Sequence, residues 1–198
     1  MKRLFLTLLC LFTVCSSFAQ TNEINPESHL KFKGIPIDGT PSEFRSKLQD
    51  AGFSYDYKDT ANNYWYKGSF AGYNNCEVIV KSANNLVYEV VAIFPKDYTW
   101  NQLYGTYSSL KQMLTTKYGE PRVEETFKDT PIYIDINKDE DKYREVGYNR
   151  CCYFSLFTSL SDGLGTISLE IKSSHCVGVH YIDFYNERKK NSSAINDL

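Results

Sequence analysis

The chain has 198 residues, a formal net charge of −2 and 42% hydrophobic residues, enough to bury a core in one domain or in two small units sharing one. This mildly acidic balance, with no cluster of Lys and Arg, argues against a nucleic acid or an anionic membrane surface as partner. The 16 tyrosines and 12 phenylalanines fall mostly in strand-like stretches, as suits pleated, half-buried surfaces.

The N-terminus reads as an export signal. Lys2 and Arg3 form a basic start, residues 4–14 are apolar, and Ser17 and Ala19 supply small side chains at the −3 and −1 positions. This predicts a signal peptide over residues 1–19 and a mature start at Gln20. The apolar run is shorter than the roughly 20 residues of a membrane-spanning helix, and no later stretch approaches that length. Cys10 and Cys15 follow Leu9 and Val14 rather than small residues, so an exported periplasmic or extracellular product is expected ahead of a lipoprotein.

Residues 20–28 are polar, contain Asn25-Pro26, and read as a flexible leader. Residues 29–37 are a short extended stretch interrupted by Gly34 and Pro36. Thr40-Pro41-Ser42-Glu43 combines an N-cap threonine, a proline at the first helical position and a capping-box glutamate. Phe44, Leu48 and Ala51 continue that helix on one face, Gly52 stops it, and Phe53 is placed to fold back onto its last turn. Strands are predicted over 53–58, 64–71, 76–81 and 86–94, the last two joined through Asn84-Asn85 as in a hairpin. The fourth is apolar at nearly every position, which predicts cover on both of its faces.

Thr99-Trp100-Asn101-Gln102 repeats the capping-box pattern, and Trp100, Leu103, Tyr104, Tyr107, Leu110, Leu114 and Tyr118 form one helical stripe ended by Gly119 and Pro121. Residues 122–128 are a candidate strand, followed by a long charged connection in which 132–136 is another. Residues 151–158, 165–172 and 176–185 complete the strands; in the middle one Ile167, Leu169 and Ile171 point inward and Glu170 and Lys172 outward. The tail over 187–198 is polar and predicted to be disordered. The expected fold is α+β in two tandem units, 29–96 and 97–186, each a helix packed on a roughly four-stranded antiparallel sheet.

This layout resembles the β-lactamase-inhibitor-protein-like architecture, tandem units of helical segment and four-stranded antiparallel sheet. The segments Phe32-Lys33-Gly34-Ile35-Pro36-Ile37-Asp38-Gly39, Gly68-Ser69-Phe70-Ala71-Gly72 and Lys117-Tyr118-Gly119-Glu120-Pro121 are similar to those of small secreted proteins of Bacteroides-type bacteria. The resemblance implies a concave sheet that could hold a partner protein. None of its segments is a catalytic motif. Asp59-Thr60-Ala61 also resembles the Asp-Ser/Thr-apolar pattern of O-glycosylation in such exported proteins, which makes Thr60 a candidate modification site.

Chemistry-bearing residues are few. After the predicted leader the cysteines are Cys76, Cys151, Cys152 and Cys176. If the last three strands form a meander, Cys151 and Cys176 lie two strands apart, roughly 9–10 Å, against the roughly 7 Å limit for a disulfide, so free thiols are expected. His29, His175 and His180 are the only histidines. Cys176 and His180 share a strand face but stand about 13 Å apart, too far for a thiolate–imidazole pair; His180 could meet Cys151 or Cys152 from a neighbouring strand. There is no Gly-x-Ser-x-Gly elbow, phosphate-cradling glycine loop or His-Glu-x-x-His.

Asp135, Asn137, Asp139 and Asp141 place oxygens at alternate positions, as a calcium loop does. Glu140 stands where that loop needs glycine and Val146 where it needs a bidentate glutamate, so a solvated charged loop is the default and calcium the only candidate cofactor. Tyr64, Trp65, Tyr66 and Tyr73, with Tyr55 and Tyr57 nearby, could offer ring faces to a sugar, although on a strand Trp65 faces away from Tyr64 and Tyr66 and aromatics more often fill β cores. The functional expectation is a non-catalytic secreted or periplasmic protein that binds another macromolecule, protein or glycan, through a sheet face. The alternative is an envelope enzyme or sugar-binding protein acting on glycan or peptide, with acid and base drawn from dispersed carboxylates.

Overall fold

Short strands β1 (Lys31–Phe32) and β2 (Ile35–Pro36) open the described chain as a two-stranded sheet. The computed structural model describes residues 29–128, 131–158 and 163–195; the predicted signal peptide and leader lie outside them. Helix α1 (Pro41–Asp50) starts as its sequence dictates: Thr40 Oγ1 accepts from Glu43 N, and the Glu43 carboxylate accepts from Thr40 N at 2.8 Å. It ends in a Schellman motif, with Phe53 N donating to Leu48 O and Gly52, at φ 88°, donating to Gln49 O.

The main sheet is antiparallel throughout and continuous across eight strands: β3 (Ser54–Lys58), β4 (Tyr64–Phe70), β5 (Tyr73–Ala83), β6 (Leu86–Ile93), β7 (Arg122–Phe127), β8 (Cys151–Phe157), β9 (Gly165–Lys172) and β10 (Cys176–Asp183). Their spatial order is β3-β4-β5-β6-β10-β9-β8-β7, so the last strand of each run, β6 and β10, meet at the centre. The β5–β6 turn is made by Asn84 and Asn85, both at positive φ (51° and 60°), the geometry whose twist matches a two-residue hairpin.

Register separates the two faces. One row of partners runs Tyr66–Val78–Ala92–Val179–Leu169–Ser155–Val123, and the next carries Val80, Val90, Tyr181, Ile167 and Phe157. Most of this face is buried in one core with Phe44 and Leu48 of α1 and with Trp100, Leu103, Tyr107, Leu110 and Leu114 of α2 (Trp100–Tyr118). Fully burying one such aliphatic side chain contributes about 1.5–3 kcal/mol, so this one-sided helix cover is the main source of stability. Gly68 leaves the space that the Phe53 ring fills: a Cβ there would stand 2.4 Å from it.

Several sequence expectations change. Thr99 caps α2 by accepting from Gln102 N, but the Gln102 side chain turns to Tyr98 N rather than Thr99 N, so the reciprocal box is not formed. Residues 132–136 are turns, not a strand, with Ile132 and Tyr133 exposed. The charged connection instead forms α3 (Asp139–Gly147), whose first turn holds Asp139, Glu140 and Asp141 against the positive end of the helix dipole, with Lys142 and Arg144 pairing to Asp139 and Asp141. The stretch read as a disordered tail continues as α4 (Phe184–Ile195), anchored by Asn186, which donates to Ile37 O and Val87 O at 2.9 Å. Among the described residues no helix is long and apolar enough to cross a membrane.

Candidate functional site on the open face of the sheet

The face turned away from the core is where polar chemistry gathers. Its central row is Trp65–Ile79–Val91–His180–Ser168–Leu156–Arg122, in register across seven strands. Trp65, Ile79, Ile93, Phe154, Leu156 and His180 are half-buried there, while Val91 and Glu89 are buried between neighbours. At the β7–β8 end a shallow cavity of about 370 Å³ is lined by Arg122, Val123, Glu124, Phe154 and Leu156.

His180 sits mid-sheet, one diagonal step from Glu89 on β6 and from Glu170 on β9. Its Nδ1 is 3.0 Å from Glu89 Oε1 and its Nε2 3.1 Å from Glu170 Oε1. Lys81 on β5 donates to Glu89 at 2.9 Å, and Lys172 reaches Glu170, its Nζ lying 3.4 Å from His180 Nε2. Gly178 provides the space in which the aliphatic chain of Lys172 lies. Two carboxylates on opposite ring nitrogens are both satisfied only by the doubly protonated imidazolium.

The titration shifts follow. Burial works against a charged His180, but hydrogen bonds to Glu170 and Glu89 outweigh it and raise its pKa above the ordinary 6.5. Burial also disfavours ionised Glu89, yet hydrogen bonds from His180 and Lys81 hold it below the usual carboxylate range. The His180 hydrogen bond, with help from Lys172, takes Glu170 down to about 2. The five groups thus form a fixed zwitterionic cluster with both carboxylates ionised at neutral pH.

The sequence candidates end up dispersed. Tyr66 is buried in the core and Tyr64 stands on the same face under the Lys58 ammonium, while Tyr73 packs edge-on to Phe94. Trp65 alone reaches the open face, stacked on Tyr57 with ring planes 9° apart and its Nε1 donating to Asp59 at 3.0 Å. Thr60 is exposed in the turn that Asp59 and Asn63 close.

Asp135, Asn137, Asp139 and Asp141 stay together in sequence, but their oxygens serve local donors. Asp135 accepts from Asn137, Asp139 from Lys142, and Asp141 from both Asp135 N and Arg144. Among the described residues no group of three or more His, Cys, Asp or Glu side chains could hold a metal ion.

Cys76, Cys151, Cys152 and Cys176 are free thiols. Cys151 shares the core side of β8 with Tyr153, whereas Cys176 falls on the open side of β10 with His180, so they face apart. Burial pushes the Cys151 thiol up to about 12. Both His180 ring nitrogens lie against carboxylates rather than a cysteine.

Sequence reading weighed His180 only as a partner for a cysteine and missed Glu89 and Glu170. The available signal was a lone carboxylate, Glu89, inside the apolar strand Leu86–Ile93; a charge kept in such a setting needs a counter-charge. No protein family, characterised protein or solved structure matches the chain.

Proposed function

We propose that this chain is an exported, non-catalytic protein that binds another protein through the open face of its sheet. The observation that carries the reading is the in-register row from Trp65 to Arg122, with half-open apolar side chains on both sides of the His180 cluster. Apolar area left partly in water supplies affinity, and charges already locked in place fix register without further ordering cost. A catalytic site built on dispersed carboxylates needs one carboxyl that keeps its proton near neutrality beside one that does not. Glu89 and Glu170 are both lowered, which favours binding over catalysis.

The strand order supports a finer reading of the fold, two helix-plus-four-strand units over 29–96 and 97–186 joined at β6 and β10. That arrangement is the basis on which the likeness to the β-lactamase-inhibitor-protein-like architecture is proposed; the likeness to secreted Bacteroides-type proteins rests on the segments 32–39, 68–72 and 117–121.

The test is position-specific photo-crosslinking in the cells that make the protein, with the crosslinker at Ile79, at Leu156, or at exposed Met113 on α2. The expected result is one shared adduct from Ile79 and Leu156 that is missing from Met113, and that Ile79→Lys abolishes without unfolding the chain. Adducts from Met113 alone, or none from the sheet face, would overturn the reading. N-terminal sequencing of the exported protein is expected to begin at Gln20; a chain retained in the cytoplasm with Met1 intact would refute export.

A further inference from the structure

A second surface, on the far side of α3, carries a ligand-like arrangement independent of the sheet face. Residues Tyr133, Ile134, Arg144, Glu145, Tyr148 and Arg150 line an open groove of about 570 Å³. That size falls within the roughly 300–1,000 Å³ typical of small-ligand sites. Tyr133 is 81% and Tyr148 62% exposed, two of the more open rings among the described residues. Glu145 is wholly buried beneath the groove.

The polar groups are held in place. Glu145 Oε2 accepts from Arg150 at 2.9 Å, and the Arg150 guanidinium stands 5.2 Å from the centroid of the Tyr148 ring. Arg144 donates to Asp141 and brings its Nε to 3.9 Å from Glu145 Oε1. That Oε1 has no hydrogen-bond partner among the described residues.

Arg150 is paired with Glu145, and Arg144 with Asp141 beside the groove, so neither guanidinium is left as an unpaired charge for an anion. The groove offers fixed N–H donors, with the partly exposed Asp141 carboxylate alongside, under two exposed rings. A hydroxyl donates and accepts at once, and the C–H faces of a sugar ring stack on aromatic rings. We propose that this groove binds a neutral mono- or disaccharide unit of a glycan, stacked on Tyr148 and Tyr133 with its hydroxyls on Arg150 and Arg144.

The test presents the full chain to immobilised glycans ending in glucose, galactose, mannose or N-acetylglucosamine, beside uronic-acid glycans and Asp/Glu-rich peptides. The strongest binder is then titrated calorimetrically. Tyr148→Ala and Tyr133→Ala are each expected to weaken binding about tenfold, whereas Tyr148→Phe, which keeps the ring, stays within about twofold. Met113→Ala serves as the surface control, and thermal melting verifies folding of every variant. Retention of neutral glycans with that pattern supports the proposal. Retention of acidic peptides or uronic glycans only, no retention of any glycan, or wild-type affinity in the two alanine variants would overturn it.

Discussion

Replacing His180 by glutamine removes the imidazolium while keeping a polar side chain of similar reach, which isolates the charge bridge between Glu89 and Glu170. Each charge-assisted hydrogen bond is worth about 1.5–3 kcal/mol when partners are well buried. The His180 side chain is 20% exposed and that of Glu170 34%, and each carboxylate keeps a lysine, so the two bonds are discounted to a combined loss of about 2 kcal/mol. For a chain of this size that lowers Tm by about 4–8 °C. The sign of the pH dependence is fixed by the shifts. His180 has a raised folded pKa, so its contribution is complete below about 6.5 and is lost as pH rises through the folded value. Glu89 and Glu170 have lowered folded pKa values, so theirs is complete above about 4.5 and is lost on acidification. The gap between wild type and His180→Gln is therefore widest between about pH 4.5 and 6.5 and narrows in alkali. Urea unfolding at about pH 5.5 and about pH 9 measures both ends. An equal gap at the two pH values, or a wider one in alkali, would refute the bridge.

Thr40→Ala removes the hydroxyl that accepts from Glu43 N at the start of α1; a loss of about 1 kcal/mol is expected in the same urea assay, and no loss would show that packing alone fixes the helix start. Tyr107→Phe leaves the buried Ser155 hydroxyl without its 2.7 Å partner and is expected to cost about 1–2 kcal/mol, whereas the double change with Ser155→Ala recovers part of it; additive losses would argue against the bond. Gly165→Ala would set a Cβ 2.0 Å from Ile182 O in the adjoining strand, so β9 and β10 must shift, at a cost of about 3 kcal/mol read as lost amide-exchange protection along that pair. Unchanged protection would show that the strand ends have slack.

The elements legible in the sequence were those specified by local chemistry. The Thr40 capping box, the Gly52 stop, the Asn84-Asn85 turn and the alternation of Ile167, Leu169 and Ile171 need no distant partner to be read. Helix α3 was not legible because its apolar stripe is thin; it rests on first-turn acids and i,i+3 pairs rather than on a hydrophobic period. Helix α4 was hidden for a similar reason, since its anchor, Asn186, bonds carbonyls about 100 and 149 residues away. The open-face cluster lay furthest from sequence reasoning. Glu89 and His180 are 91 residues apart, and only the pairing of β6 with β10 makes them neighbours. Continuity of the sheet was illegible too, because two four-stranded runs can close separately or share one edge-to-edge seam, and local patterning is the same in both cases.

That seam has a consequence for the order in which the chain is made. Strands β3 to β6 are joined by short connections and can zip as they emerge, but β6 has its second neighbour only when β10, the last of the described strands, arrives. Until then a strand carrying Val87, Val90, Val91 and Ala92 presents an unpaired, two-sided apolar edge, the kind of surface on which nascent chains associate. A chain stalled or truncated before Cys176 would keep that edge open permanently. The residues that seal the centre of the sheet are thus made after its seven other strands, and the interval before they arrive is when the sheet is most in need of a chaperone.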